Sequence, residues 1–260
     1  MASRRVIGVV TVHGGRVVKS YGYLARRPAG SIGTALTNLD RWGADEILLL
    51  DISRRPSVDP SVRDAVRDTP LSTPLTYGGG IRSVTHVREV LDAGADRVLL
   101  ESLLWEDPDE VTRIADVIGA QAVVVSLPVV GSASGRLRAW VPPAAATARP
   151  DDLGAWVDRI GRTPSEEVIV IDVDAEGTEG SFSLSLATEV GPLLSAVDRP
   201  AIWFGGLDAG TAASVLTRPD TTGVAIGNPL VEGELVLPRL RASLRSSHPE
   251  LVRAVRPSRG

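Results

Sequence analysis

The chain has 260 residues, 43% of them hydrophobic, and a formal net charge of −4. This length suits one large α/β domain as well as two small ones, and the charge argues against nucleic-acid binding. Cysteine is absent, which excludes disulfides and thiolate chemistry. No apolar run approaches about 18 residues, so no membrane span is expected. Because Ser3-Arg4-Arg5 leads straight into a strand rather than a signal peptide, we expect a cytoplasmic protein.

Eight short runs rich in Val, Ile and Leu predict the strands of a parallel sheet. They are continuously apolar rather than alternating, as expected for strands that are buried on both faces. The predicted strands are 6–11, 46–51, 74–77, 97–101, 122–127, 167–172, 201–204 and 223–227.

Amphipathic segments separate these runs and predict helices at 32–42, 61–67, 84–93, 108–118, 153–160, 184–196, 209–216 and 235–246. Eight βα units in succession favour a closed (β/α)8 TIM barrel over an open sheet. We expect this barrel to form a single domain over residues 1–246. A long loop is expected at 141–150, and an exposed tail at 247–260.

The two halves of the chain repeat each other. Leu48-Leu-Leu-Asp51 matches Ile169-Val-Ile-Asp172, residues 96–108 match 222–234, and a strand in each half ends in glycines, at 78–80 and 205–206. Glycine permits tight turns and brings backbone N–H groups close to an anion, which the start of the following helix also favours. The repeat predicts two similar half-barrels whose glycine loops hold a phosphate-bearing ligand at both ends.

Polar residues follow several strands, at the barrel end where the chemistry of this fold lies. Residues 13–19 form a glycine-containing loop that ends at Lys19, the only lysine among 28 basic residues, which indicates a need for a compact ammonium group. Asp51 ends the second strand, and the acidic loop 172–181 contains Asp174 and Glu176. The three histidines are too scattered for a metal site, so we expect neither a metal nor a cofactor.

Six short motifs together resemble the cyclase subunit of imidazole glycerol phosphate synthase, over essentially the whole chain from residue 5 to about 253. They are Gly14-Gly-Arg-Val-Val-Lys19, Gly43-Ala-Asp-Glu46, Leu50-Asp-Ile52, Gly78-Gly-Gly-Ile-Arg82, Gly94-Ala-Asp96 and Asp174-Ala-Glu-Gly-Thr178. The sister isomerase of histidine biosynthesis shares the fold and the repeated halves. The first and last motifs favour the cyclase.

The resemblance implies an enzyme that takes ammonia from a glutaminase docked at the N-terminal face of the barrel. It would use that ammonia to cleave and cyclise a bis-phosphorylated aminoimidazole ribonucleotide, with Lys19 on a mobile loop over the active site. One phosphate would bind at Gly79, Gly80 and Ser102. The other would bind at Gly177, Thr178, Gly205, Gly206, Gly227 and Asn228. The gate for ammonia at the barrel floor would be a ring of charges formed by Arg5, Glu46, Arg97 and Glu167.

Four positions depart from the family pattern. Thr11 and Pro128 stand where the family has its acid–base aspartates, and neither side chain can transfer a proton near neutral pH. Glu101 replaces an asparagine that helps to bind phosphate, and Phe204 replaces a small residue, which should narrow the site.

Three interpretations follow from these departures. In the first, the chain is a divergent histidine-pathway cyclase in which Asp51, Asp174 or Glu176 performs the acid–base work. In the second, it is a repurposed paralogue that uses or conducts ammonia for another phosphorylated substrate. In the third, it is a catalytically silent scaffold. The retained charges favour the first two interpretations, and the loss of both aspartates favours the second over the first.

Overall fold

A computed structural model describes residues 4–141, 150–228 and 237–249. Its strands are β1 (Arg5–His13), β2 (Arg16–Tyr21), β3 (Ala25–Gly30), β4 (Glu46–Asp51), β5 (Leu75–Gly78), β6 (Arg97–Leu100), β7 (Val123–Val130), β8 (Arg138–Ala139), β9 (Glu167–Asp172), β10 (Ala201–Phe204) and β11 (Thr221–Ile226). Its helices are α1 (Ile32–Arg41), α2 (Pro60–Arg67), α3 (Val84–Asp92), α4 (Leu103–Glu106), α5 (Pro108–Ile118), α6 (Leu153–Arg162), α7 (Leu184–Ser195), α8 (Ala209–Leu216) and α9 (Leu237–Ser247), with a 3₁₀ turn at Ala120–Ala122.

Eight parallel strands close into a barrel in the order β1, β4, β5, β6, β7, β9, β10, β11. Closure is made by β11 and β1, which pair from Arg5 opposite Gly223 to Gly8 opposite Ile226. Helices connect successive barrel strands, so the predicted (β/α)8 TIM barrel is confirmed.

The strands divide their apolar side chains between two cores. Ile7 and Val9 of β1 belong to a cluster inside the barrel, whereas Val6 and Val10 belong to the larger cluster between the barrel and the helices. Neighbouring residues of a strand face opposite sides of the sheet, so a barrel strand covered on both faces must be apolar at nearly every position. This requirement explains why the strand signal in the sequence is so clear.

The segment after β1 differs from the expected loop. Residues 13–19 cross a tight turn and continue as β2, which pairs with β1 and then with β3 in an antiparallel hairpin. Gly14 and Gly15 have φ values of 57° and 74°, the left-handed pair that suits a two-residue hairpin turn. Lys19 therefore lies within a strand, and β1 runs beyond Thr11 to His13.

The fifth barrel strand also runs further than predicted. β7 ends at Val130, pairs with the short β8, and contains Pro128 opposite Ile171 of β9. Proline lacks an N–H donor, but its carbonyl accepts a hydrogen bond from the Trp140 N–H at 2.8 Å.

Two expectations fall mainly outside the described residues. Positions 142–149 of the predicted loop and 250–260 of the predicted tail are not described, and α9 includes Ser247. Within the described ranges, no helix is both long enough and apolar enough to cross a membrane.

Candidate functional site

A cleft with a volume of about 320 Å³ opens at the C-terminal ends of β4, β5 and β6. Both polar groups and aromatic rings line it. Among the lining residues are Tyr23, Asp51, Arg54, Arg55, Gly79, Gly80, Arg82, Glu101, Ser102, Ser126 and Trp140. The cleft therefore brings together Asp51 and the first group of predicted phosphate-binding residues.

Asp51 is the last residue of β4 and is buried, at 7% exposure. The Ser53 N–H donates to its Oδ1 at 2.9 Å, which holds the carboxylate at the edge of the cleft. Glu101 and Glu106 line the same cleft, so three carboxyl groups lie there, a residue type suited to proton transfer. Arg82 pairs with Glu106 at 3.1 Å at the rim.

The first glycine loop follows β5 with a backbone that only glycine adopts easily. Gly79 and Gly80 have φ values of 117° and 69°. A Cβ atom on Gly79 would lie 2.3 Å from the Asp51 carbonyl oxygen, and one on Gly80 would lie 2.3 Å from the Ser57 carbonyl oxygen. The loop packs directly against the end of β4, and Ser102 lines the cleft beside it.

The second group of predicted phosphate-binding residues lines a cavity of only about 20 Å³. That set is Gly177, Thr178, Gly205, Gly206, Gly227 and Asn228. The side chain of Asn228 is occupied by the β2–β3 hairpin: its Nδ2 donates to the Ser20 carbonyl at 2.6 Å, and its Oδ1 accepts from the Ser20 N–H at 3.3 Å.

Glu176 holds the tip of the same hairpin and does not line the large cleft. Its carboxylate accepts from the Ser20 hydroxyl at 3.1 Å and the Tyr23 N–H at 3.2 Å, and its carbonyl accepts from the Gly22 N–H at 3.0 Å. Burial raises the pKa of Glu176, and these hydrogen bonds only partly oppose it. Lys19, in the same hairpin, is buried at 6% exposure and does not line the cleft.

Asp174 also stabilises a loop, the one that follows β7. Its Oδ2 accepts from the N–H groups of Gly131 and Ser132 at 2.7 and 3.1 Å. The neighbouring Asp172 accepts from the Ser132 hydroxyl at 2.8 Å, and burial raises the pKa of Asp172. Of the four residues predicted to be catalytic, only Asp51 faces the cleft.

Four charged residues form a closed ring at the opposite, N-terminal end of the barrel, each at the first position of its strand. Arg5 bonds Glu46 at 2.8 Å and also bonds Glu167. Arg97 bonds Glu167 at 2.9 Å and approaches Glu46 at 3.5 Å. The structure thus brings together all four predicted gate residues.

The ring is largely removed from water, with side-chain exposures of 5% for Glu46, 9% for Glu167, 14% for Arg97 and 17% for Arg5. Burial alone would raise the pKa of Glu167, but the hydrogen bond and charge of Arg5, and then the charge of Arg97, hold it below its ordinary value. Buried charges of this kind persist only when each is paired. The Thr76 hydroxyl adds a hydrogen bond to Glu46 at 2.5 Å.

Thr11 and Pro128 are buried in β1 and β7, and neither lines the cleft. Tyr23, Arg54 and Trp140 are among the cleft residues that were not selected from the sequence. Tyr23 and Arg54 have left-handed φ values of 59° and 56°, which no sequence pattern around them indicates. Among the described residues, no group of three or more acidic or histidine side chains is placed to hold a metal ion.

Comparison with known proteins covers most of this barrel. The model of the family described as "Histidine biosynthesis protein" matches residues 5–236. The imidazole glycerol phosphate synthase subunit HisF of Alkaliphilus metalliredigens (strain QYMF) is 29% identical over 249 residues, which is 94% of this chain and 96% of the relative. The putative imidazole glycerol phosphate synthase subunit hisF2 of Vibrio vulnificus (strain YJ016) is 29% identical over 212 residues, 80% of this chain and 75% of the relative.

Proposed function

The chain belongs to the histidine biosynthesis protein family, and on that premise we propose that it is a cyclase-like barrel repurposed for another substrate. It binds a phosphorylated small molecule in the cleft at the C-terminal end of the barrel. It receives ammonia through the N-terminal end from a glutaminase partner.

The ring of Arg5, Glu46, Arg97 and Glu167 is the observation that carries this proposal. Replacing such a buried ionic cluster by apolar side chains of similar volume is often neutral or stabilising, so stability alone does not explain its presence. A ring of alternating charge across the barrel axis is suited to admitting a small polar molecule such as ammonia. The two relatives compared above are named as imidazole glycerol phosphate synthase subunits, the second of them as putative, which supports the same role.

The cleft supports a phosphorylated ligand and a changed reaction. The loop at Gly79 and Gly80 presents backbone to the cleft, with Ser102, Arg55 and Arg82 also lining it. The carboxyl groups in the cleft are supplied by different strand ends from those of the missing aspartates, because Asp51 ends β4 and Glu101 follows β6. We assign proton transfer in the repurposed reaction to Asp51 and Glu101.

The glutaminase partner is tested by sedimentation velocity with the glutaminase subunit encoded in the same genome. We expect a one-to-one complex with a Kd below about 1 μM, equivalent to about −8 kcal/mol. Two separately sedimenting species at ten times that concentration would contradict the partner.

The gate is tested in the same complex with Glu167→Gln and, as a control on the outer face of α7, Glu189→Gln. The assay follows transfer of nitrogen into a phosphorylated substrate of the complex, with glutamine or ammonium chloride as the nitrogen source. We expect Glu167→Gln to slow the glutamine-driven rate about tenfold, or ~1.4 kcal/mol, and to change the ammonium-driven rate much less. Equal losses of rate with both nitrogen sources would contradict the role of the ring as an ammonia gate.

The same assay with the family's aminoimidazole ribonucleotide as the substrate separates the second candidate, an active histidine-pathway cyclase, which the carboxyl groups in the cleft favour. Turnover that is lost in Asp51→Asn would establish that candidate and overturn repurposing. Complex formation without turnover of this substrate is the outcome expected for a repurposed barrel.

A further inference from the structure

The two glycine loops have nearly the same backbone. Gly79 and Gly80 have φ values of 117° and 69°, and Gly205 and Gly206 have 104° and 69°. A Cβ on Gly79 would lie 2.3 Å from the carbonyl oxygen of Asp51, and one on Gly205 would lie 2.4 Å from that of Asp172. Each loop therefore packs in the same way against the end of the preceding barrel strand, which is β4 in the first half and β9 in the second.

The space in front of the two loops differs. The first loop faces the cleft of about 320 Å³, and the second faces a cavity of about 20 Å³. One water molecule needs about 10–15 Å³ measured in this way. The second cavity therefore accepts about one water molecule and is too small for a phosphate group.

Two elements fill the second site. Phe204 stands immediately before Gly205-Gly206, where the first half has Gly78 before Gly79-Gly80, and a Cβ on Gly227 would lie 3.3 Å from the Phe204 ring. The hairpin backbone lies against the other side, since a Cβ on Gly177 would meet the Ser20 carbonyl oxygen at 2.2 Å. The Asn228 amide, which would contact an anion there, already bonds Ser20.

Two aromatic rings in contact with each other also line the large cleft. The rings of Tyr23 and Trp140 lie 6.0 Å apart at an angle of 39°, and the Arg54 guanidinium lies 5.1 Å from the Trp140 ring centre. Both Tyr23 and Arg54 adopt left-handed backbone conformations, whose cost is tolerated mainly where function requires it.

Two buried hydroxyl groups of the cleft have no hydrogen-bond partner among the described residues: Tyr23 Oη and Ser126 Oγ. Tyr23 is 8% exposed and Ser126 is 1% exposed. A buried hydroxyl without a partner destabilises the fold, so both are suited to bonding a ligand. Burial, then the charges of Glu176 and Glu101, raise the pKa of Tyr23, which keeps its hydroxyl protonated as a donor.

We propose that the ligand of this barrel carries a single phosphate group, which binds at Gly79 and Gly80, and a planar group, which lies against Tyr23 and Trp140 and bonds the hydroxyls of Tyr23 and Ser126. This inference rests on the proposed phosphorylated ligand and narrows its chemical class. A bis-phosphorylated ligand would find only one of the two glycine loops open.

Isothermal titration with matched probes tests both parts. Ribulose 5-phosphate and ribulose 1,5-bisphosphate differ by one phosphate, and we expect their Kd values to agree within about twofold. Uridine and adenosine 5′-monophosphates add a planar base, and at least one should bind about tenfold more tightly than ribulose 5-phosphate. Tyr23→Phe should raise the Kd of that nucleotide about threefold or more. Tyr21→Phe, in the same hairpin but outside the cleft, should leave this Kd unchanged.

Three results would overturn the inference or its premise. Tighter binding of ribulose 1,5-bisphosphate by about tenfold or more would overturn the single phosphate. Binding of ribulose 5-phosphate with no gain from either nucleotide, or a nucleotide gain that Tyr23→Phe leaves intact, would overturn the planar group. If no phosphorylated probe bound at all, the proposed function itself would fail.

Discussion

The loops at Gly79–Gly80 and Gly205–Gly206 share a backbone and differ in what stands before them. Gly78 leaves the space before the first loop open. The space before the second loop is filled by Phe204 and by the β2–β3 hairpin. The glycines are needed in both halves because a carbonyl oxygen of the preceding strand end lies where a side chain would be. A glycine loop therefore indicates how strands and turns pack, and its surroundings decide whether it can bind an anion.

At the floor of the barrel, one matching pair of residues keeps similar surroundings in the two halves. Glu46 and Glu167 begin the matching strands β4 and β9, and each interacts with both Arg5 and Arg97. The first half supplies three of the four charges and the second half only Glu167, but the two glutamates occupy matching positions.

The largest expected effect tests whether the two matching glutamates of the floor are equivalent. Glu46→Gln and Glu167→Gln each leave two buried arginines with one carboxylate, so each should lower the free energy of unfolding by about 3 kcal/mol or more. Urea denaturation measures both variants. Losses that differ by about 2 kcal/mol would show that the two glutamates are not equivalent.

A smaller effect separates backbone geometry from ligand binding at the mouth. Gly79→Ala and Gly205→Ala place a Cβ against a carbonyl oxygen at positive φ, and each should lower the free energy of unfolding by about 2 kcal/mol. In titrations with ribulose 5-phosphate, Gly79→Ala should weaken binding and Gly205→Ala should not. Equal weakening by both variants would mean that the second loop is also in use.

The smallest effect concerns Glu176, whose pKa is raised by burial. Such a carboxyl group stabilises the fold most below its unfolded-state pKa, about 4.3, and loses that contribution as the pH rises through its folded-state pKa. Glutamine does not ionise, so the stability of Glu176→Gln relative to the natural chain should increase as the pH rises from about 4 to 7. Urea denaturation across this range measures the relative stability. If it fell as the pH rose, the pKa of Glu176 would be lowered in the fold rather than raised.

The barrel could be predicted because its strands are apolar on both faces. A short, nearly continuous apolar run such as 167–172 indicates a buried strand of a parallel sheet. The hairpin was missed although Gly14-Gly15 is a turn signal between Val12 and Val17, because the segment was interpreted as a loop carrying Lys19. Asp174 and Glu176 were selected for their carboxyl groups. Which way each points depends on loop contacts with Gly131 or Tyr23, distant in sequence.

The cleft wall was equally hidden from the sequence. Trp140 meets Tyr23 and Arg54 only after two loops take left-handed turns at non-glycine residues. By contrast, the charged ring could be named in advance from the resemblance to the cyclase, and the structure places each of its members at the start of a strand.

The ring also has a consequence for how the chain folds. Its bonds join residues 41, 70 and 162 positions apart, and the longest connects β1 to β9. Arg5 and Glu46 are made early in synthesis, but the ring cannot be completed until Glu167 has been made. Because contacts so distant in sequence form slowly, we expect the floor to close late and both halves to fold as one cooperative unit.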